Sequence, residues 1–134
     1  MKRRNLLDSF ALLAFLNRES GSASVRDLLR SARSRREPLL MNEINLGEVY
    51  YSLARSSSTE SAEGFLKRLP TLPIRPLSNT YEHVLAAARL KARLPISYAD
   101  ALAVATAQRE QATLVTGDPD FQAVQHLVPI RWIQ

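Results

Sequence analysis

The 134-residue chain contains no cysteine, which removes disulfides, thiolate nucleophiles and thiolate zinc sites at once. Histidine is almost as scarce. His83 and His126 are the only two, they match no metal-ligand spacing, and a surface or packing role is expected for both. Long apolar runs are missing too: the longest, Phe10 to Leu16, falls far short of the ~20 residues of a membrane-spanning helix and reads as a buried helix. Met1-Lys2-Arg3-Arg4 ahead of Asn5-Leu6-Leu7 superficially resembles a secretory signal. Asp8 interrupts the apolar stretch, however, and no small-residue cleavage site follows, so a cytoplasmic location is expected. The chemistry left to this chain is therefore oxygen chemistry, drawn mainly from its thirteen aspartates and glutamates.

Size and charge narrow the field further. With 46% hydrophobic residues, the chain can bury one real core but not two, so a single domain over residues 1–134 is expected. The net charge is +5 and the pI about 10.1. The basic residues group as Lys2, Arg3, Arg4, then Arg26, Arg30, Arg33, Arg35, Arg36, then Arg89, Lys91, Arg93. Such grouping suits a polyanionic partner. Arginine also solubilises helical surfaces, so charge alone does not decide for nucleic acid.

Hydrophobic spacing and turn chemistry order the elements. Asn5-Leu6-Leu7 reads as a short strand, and Ser9 as the cap of the apolar helix that follows. Val25, Leu28, Leu29 and Ala32 hold the i, i+3, i+4, i+7 spacing of an amphipathic helix that ends before Pro38. Leu39-Leu40-Met41 is a second strand. Asn42 then caps a helix from Glu43 to about Arg55, with Ile44, Leu46, Val49, Tyr50 and Leu53 on its buried side. Ser56 to Thr59 is a loop, Ala62 to Leu69 a short helix, and Pro73 to Leu77 a strand flanked by prolines. Asn79-x-x-Glu82 and Ser97-x-x-Asp100 are read as capping boxes opening two helices, the second alanine-rich and running to about Gln111. Thr113 to Thr116 is a strand, Gly117-Asp118-Pro119-Asp120 a turn, and Ile130 to Ile133 a last strand carrying Trp132, expected in the core. This alternation predicts a three-layer α/β/α sandwich with a mainly parallel central sheet and right-handed crossovers. Ligands in such folds bind beyond the carboxyl ends of the strands.

The acidic residues that matter are sought there. Asp8 and Asp118 follow predicted strands, while Glu48 and Asp100 lie in or at the start of helices entered from the same sheet end. Four carboxylates brought together raise one another's pKa, and a divalent cation is the natural compensation. Oxygen-only ligation favours Mg2+ or Mn2+ over zinc. Metal-assisted phosphodiester hydrolysis needs this arrangement and no protein nucleophile, and the basic surface would draw in the phosphate backbone. Each acid also has a plainer reading. Asp8 can serve as a cap, Asp100 as the N3 member of its box, and Asp118 and Asp120 as turn formers. Glu48 lacks such a role, although it can simply face solvent. Ser9 and Thr116 stand next to Asp8 and near Asp118 as further ligands or supports.

Four blocks carry a resemblance: Leu6-Leu7-Asp8-Ser9 with its apolar helix; Ile44-Asn45-Leu46-Gly47-Glu48-Val49-Tyr50-Tyr51; Ser97-Tyr98-Ala99-Asp100-Ala101; and Leu114-Val115-Thr116-Gly117-Asp118-Pro119-Asp120-Phe121. In this order they resemble the PIN-domain family, specifically its VapC-type toxin branch. The resemblance implies a magnesium-dependent endoribonuclease, the toxin of a toxin–antitoxin pair. It implies Asp8, Glu48, Asp100 and Asp118 as catalytic, metal-site carboxylates, with Asp120 as a further metal ligand. It also implies a homodimer inhibited by a cognate antitoxin whose own segment obstructs the acidic site. Apolar surface for a partner is sought on the helices of Phe10–Leu16 and Val25–Ala32, or around Tyr50 and Tyr51. Ser56 to Leu94 carries no motif, and the first strand is shorter and more basic at its start than the family pattern. The main rival is a non-catalytic PIN-like module that binds RNA or protein, its acids serving caps and turns. A phosphotransfer receiver would need an aspartate where Pro76-Leu77-Ser78 stands, and an aspartyl-nucleophile phosphatase one where Phe10 stands.

Overall fold

The computed structural model describes residues 3–134; Lys2 of the first basic group lies outside the described residues. The sheet has five strands, β1 (Arg4–Leu7), β2 (Leu39–Asn42), β3 (Ile74–Leu77), β4 (Ala112–Thr116) and β5 (Ile130–Trp132). Their spatial order is β3-β2-β1-β4-β5, and every pairing is parallel. Six helices flank it: α1 (Ser9–Leu16), α2 (Ser22–Arg35), α3 (Glu43–Ser56), α4 (Thr59–Arg68), α5 (Tyr81–Arg93) and α6 (Tyr98–Glu110). The chain steps outward from β1 to β2 and β3, then returns to the other side of β1 with β4. The switch point thus lies between β1 and β4, where the connections diverge and leave a crevice at the strands' carboxyl ends.

The apolar residues of the central strands face both ways because successive side chains alternate across a sheet. Leu7, Leu39, Met41 and Val115 join the core under α1 to α4. Leu6, Leu40 and Leu114 join the one under α5 and α6. Ala101 through Ala107 are all buried, as in a helix walled in on every side. Pro76 is tolerated in β3 because this strand forms the sheet's edge, where a missing N–H breaks no ladder.

Several local expectations are corrected. Asp8, not Ser9, is the N-cap of α1, its carboxylate accepting from Ala11 N–H at 2.8 Å. Ser9 is the first helical residue. Asn79-x-x-Glu82 is not a box; Thr80 caps α5, with His83 Nδ1 returning to the Thr80 N–H. Asn79 is occupied instead by a paired amide contact with Asn42, in both directions, at 2.7 and 3.1 Å. The Ser97 box is half made: the hydroxyl takes Asp100 N–H at 3.1 Å. Ser58 opens α4 three residues earlier than expected, starting it at Thr59. Ile44 is 45% exposed rather than buried, and Trp132, on the edge strand β5, is 37% exposed rather than core. The turn after β4 continues as a 3-10 helix, Pro119–Val124, which buries Phe121 and Val124.

Leu40 is fully buried in the strand beside the sheet's centre. Leu40→Ala should lower unfolding free energy by about 2–5 kcal/mol in urea melts. Tyr81→Ala, at a residue 73% exposed, should change it by less than ~0.5 kcal/mol.

Candidate metal centre at the sheet's carboxyl edge

Asp8 leaves the end of β1 beside the switch point and is 2% exposed. Both of its oxygens are engaged: Oδ1 by Ala11 N–H, and Oδ2 by the Thr116 hydroxyl at 2.5 Å. Thr116 in turn accepts Asp118 N–H at 3.0 Å. A single hydroxyl at the end of β4 therefore ties the acid after β1 to the backbone of the acid after β4. Asp118 caps the 3-10 helix by accepting Asp120 N–H at 2.9 Å, which folds Asp120 back toward it. Gly117 has no room for a side chain: a Cβ there would lie 2.6 Å from the Phe10 ring and 3.1 Å from Ile133.

Asp100 enters from the first turn of α6. One carboxylate oxygen from each of Asp100, Asp118 and Asp120 lies within 4.8 Å of the others. Glu48, half-buried on α3, joins their field, and Asn45 Nδ2 donates to its Oε1 at 3.1 Å. Electrostatics register the crowding. The Asp8 carboxyl is pushed up to about 7 from an ordinary 3.8, first by burial and then by the charges of Asp100 and Asp118, against the lowering effect of its hydrogen bonds. Asp100 is pushed up to about 6 by burial, then by Asp118, Glu48 and Asp120. Among the described residues the ion pairs are Arg26–Asp27 and Arg109–Glu110, so no side-chain cation neutralises these five acids.

The structure thus brings Asp8, Glu48, Asp100 and Asp118 to one place, and sets Asp120 inside the tightest part of the group. The donor set, all oxygen and unmatched in charge, fits a hard divalent cation. Asp8 shows that cap and cluster member are compatible duties for one carboxylate. One basic group lies away from the acids. Arg3, Arg4, Arg35 and Arg131 line a cavity of about 230 Å³ with Pro38 and Leu39, toward the strands' amino ends. Asn42 caps α3 as expected, accepting Ile44 N–H at 2.9 Å; the polar residues missed by sequence reasoning are Asn45 and Thr106. Asn42 Nδ2 also donates to Thr106 Oγ1 at 2.9 Å. The available signal for Asn45 was an amide on the same helical stripe as Leu46, Val49 and Leu53.

Fold and site together define an α/β protein with an acidic, cation-compatible centre at the switch point of a parallel sheet. The chain belongs to the PIN domain family, whose model matches residues 6–127. No curated protein matches the chain. Among solved structures it is similar to VapBC2 from Rickettsia felis bound to a DNA fragment from their promoter, at 18% identity and TM-score 0.77 over 97% of this chain and 98% of that one. It is also similar to VapC20 from Mycobacterium tuberculosis, a Sarcin-Ricin loop cleaving toxin, at 20% identity and TM-score 0.72 over 89% and 93%. FitAcB from Neisseria gonorrhoeae aligns at 21% identity and TM-score 0.69 over 94% and 95%. These similarities carry the fold.

The raised acids fix the sign of a pH effect. A carboxyl whose folded pKa exceeds its unfolded value binds its proton more tightly in the native state, so stability is highest below about pH 4 for that group and is lost as pH rises through the folded value. For Asp8 the window runs from about pH 4 to 7, and for Asp100 from about pH 4 to 6. In EDTA, Asp8→Asn should therefore raise the melting temperature at pH 8, by on the order of 3 kcal/mol in stability, and flatten the slope between pH 4 and 7. A variant that melts below wild type at pH 8 while keeping the slope would contradict this account of Asp8.

Proposed function

We propose that this protein is a divalent-metal-dependent endoribonuclease acting as the toxin of a toxin–antitoxin pair. The observation that carries the reading is the convergence of Asp100, Asp118 and Asp120 within 4.8 Å, with Asp8 and Glu48 beside them and, among the described residues, no side-chain cation paired with them. Asp100, Asp118 and Asp120 would hold Mg2+, or Mn2+, with Asp8 and Glu48 completing the set. A divalent cation bound there supplies a water of lowered pKa and neutralises charge on the scissile phosphate. The chain's own residues do the rest. The Thr116 hydroxyl and the Ala11 N–H hold both oxygens of Asp8 in fixed directions, so the carboxylate is oriented before any ligand arrives. Before a cation binds, Asp100, half-buried and raised to about 6, holds a proton just below neutrality that a cation must displace. A net charge of +5 draws RNA toward a pocket that repels phosphate until its own negative charge is balanced.

Partner contacts follow the exposed apolar residues. The α2 residues Val25, Leu28, Leu29 and Ala32 are all buried, so that helix offers a partner no apolar stripe. Ile44, Tyr51, Val84, Tyr98 and Leu102 instead line a cleft of about 820 Å³ that also touches Glu43 and Glu48. We assign this cleft, and the exposed Phe10 on α1, to contacts with other polypeptides: a second copy in a homodimer and an antitoxin segment reaching the acids.

Purified antitoxin-free protein should cut RNA from a mixed cellular pool with Mg2+ or Mn2+. EDTA should abolish the cleavage, and Asp100→Asn should reduce it by roughly 100-fold or more. RNA retention without cleavage under either metal would replace the nuclease with the binding module. At limiting Mg2+ or Mn2+ the cleavage rate should also rise from pH 5 to about 7, because protons compete with the cation for Asp8 and Asp100.

A further inference from the structure

Asn45 occupies a position that stability alone does not explain. It is 1% exposed on the buried stripe of α3, where the neighbouring stripe residues Leu46, Val49 and Leu53 are apolar. Its Nδ2 donates twice, to Glu48 Oε1 at 3.1 Å and to the Ala99 carbonyl at 3.2 Å. Both partners are acceptors, so the amide's orientation is dictated. Turning it over would set its oxygen against a carboxylate and a carbonyl. The other end is left over: Asn45 Oδ1 is a buried acceptor with no hydrogen-bond partner. A leucine of similar size would remove the orphan and pack with its neighbours, leaving behind a half-exposed carboxylate and a carbonyl inside the first turn of α6. Buried acceptors without partners destabilise, and apolar replacements of the same shape are commonly neutral or better.

What the amide does accomplish lies between the two sides of the acidic centre. Glu48 is one helical turn beyond Asn45 on α3, and Ala99 immediately precedes Asp100 on α6. We propose that Asn45 is a positioning residue that holds Glu48 and the Asp100-bearing turn of α6 at a fixed separation, so that the two carboxylates meet a divalent cation together. The inference rests on the metal-centre reading above and extends it to a residue that touches neither cation nor RNA. Asn45 serves each side with one hydrogen of one NH2 group, a bridge that a hydroxyl with its single hydrogen cannot make at both ends. The device costs fold stability and is spent on the geometry of the site.

The test compares wild type with Asn45→Leu and Asn45→Ser, each as the full chain. Melting in EDTA is followed alongside Mn2+ affinity, read from the paramagnetic resonance signal of the free ion. Asn45→Leu should melt at or above the wild-type temperature yet bind Mn2+ about tenfold more weakly, the usual consequence of losing a residue that orients a metal ligand. RNA cleavage should fall in kcat with KM for RNA nearly unchanged. Asn45→Ser gives a second reading if the leucine does not fold, with weakened Mn2+ binding again expected. Mn2+ affinity within about twofold of wild type in the folded variants would overturn the role of Asn45 and leave the metal centre standing. Affinity that falls only in step with a lowered melting temperature would do the same. Wild-type protein that binds no Mn2+ would overturn the metal-centre reading and this inference together.

Discussion

Five carboxylates, with no ion-pair partner for them among the described residues, are the constraint around which this molecule is organised. Burying Asp8 at the end of β1 is the severest part of it, because an ionised carboxylate loses its hydration there and gains only what Ala11 N–H and the Thr116 hydroxyl return. Those two bonds do more than satisfy an acid. One starts α1 and the other locks the end of β4 to the end of β1 on the two sides of the switch point. Asp118 is then placed by the same hydroxyl, through its N–H, and Asp120 by Asp118. The site is thus a short chain of hydrogen bonds radiating from one buried group.

The layers of the fold were legible because two periodicities are plain: adjacent Leu6 and Leu7 in a strand point to opposite cores, and Val25, Leu28, Leu29 and Ala32 share one helical face. The helix starts were harder. Asp8 and Ser9 are both competent caps, and the choice falls to Asp8 because the Thr116 hydroxyl, far away in sequence, fixes its side chain. Asn79 is likewise competent, but Asn42 captures its amide across 37 residues, and the cap passes to Thr80. Local propensity cannot see such partners. Ile44 and Trp132 failed for a different reason: apolar character states that burial is favourable, not that an edge strand or the first turn of a helix has a neighbour to bury it.

The acidic positions themselves were readable from topology, since residues just past strand ends and at helix starts gather at one edge of a parallel sheet. Turn chemistry alone does not account for Asp120. A turn residue explains its N–H, which Asp118 accepts, but leaves its carboxylate unaccounted for, and that carboxylate is the one facing Asp100 and Asp118. The Asn42–Asn79–Thr106 contacts and the Asn45 amide were invisible because amides on apolar stripes carry no motif. Their significance lies in what they join: Asn42 links the end of β2 to α6 and the segment after β3, and Asn45 links α3 to α6.

Charge separation completes the logic. Arg3, Arg4, Arg35 and Arg131 gather toward the strands' amino ends, away from the acids at the carboxyl ends. Fixed arginines among the acids would have paired with them, lowered their pKa values and competed with a cation for the same oxygens. With them away, burial first and the neighbouring acids after it keep Asp8 and Asp100 raised, and the site's negative charge is open to neutralisation from outside. The instability this imposes is carried by the two cores that Leu6, Leu7, Leu40 and Leu114 build on either face of the sheet. In this chain the apolar interior and the frustrated polar edge are therefore parts of one design, in which packing supplies the stability that the acids consume.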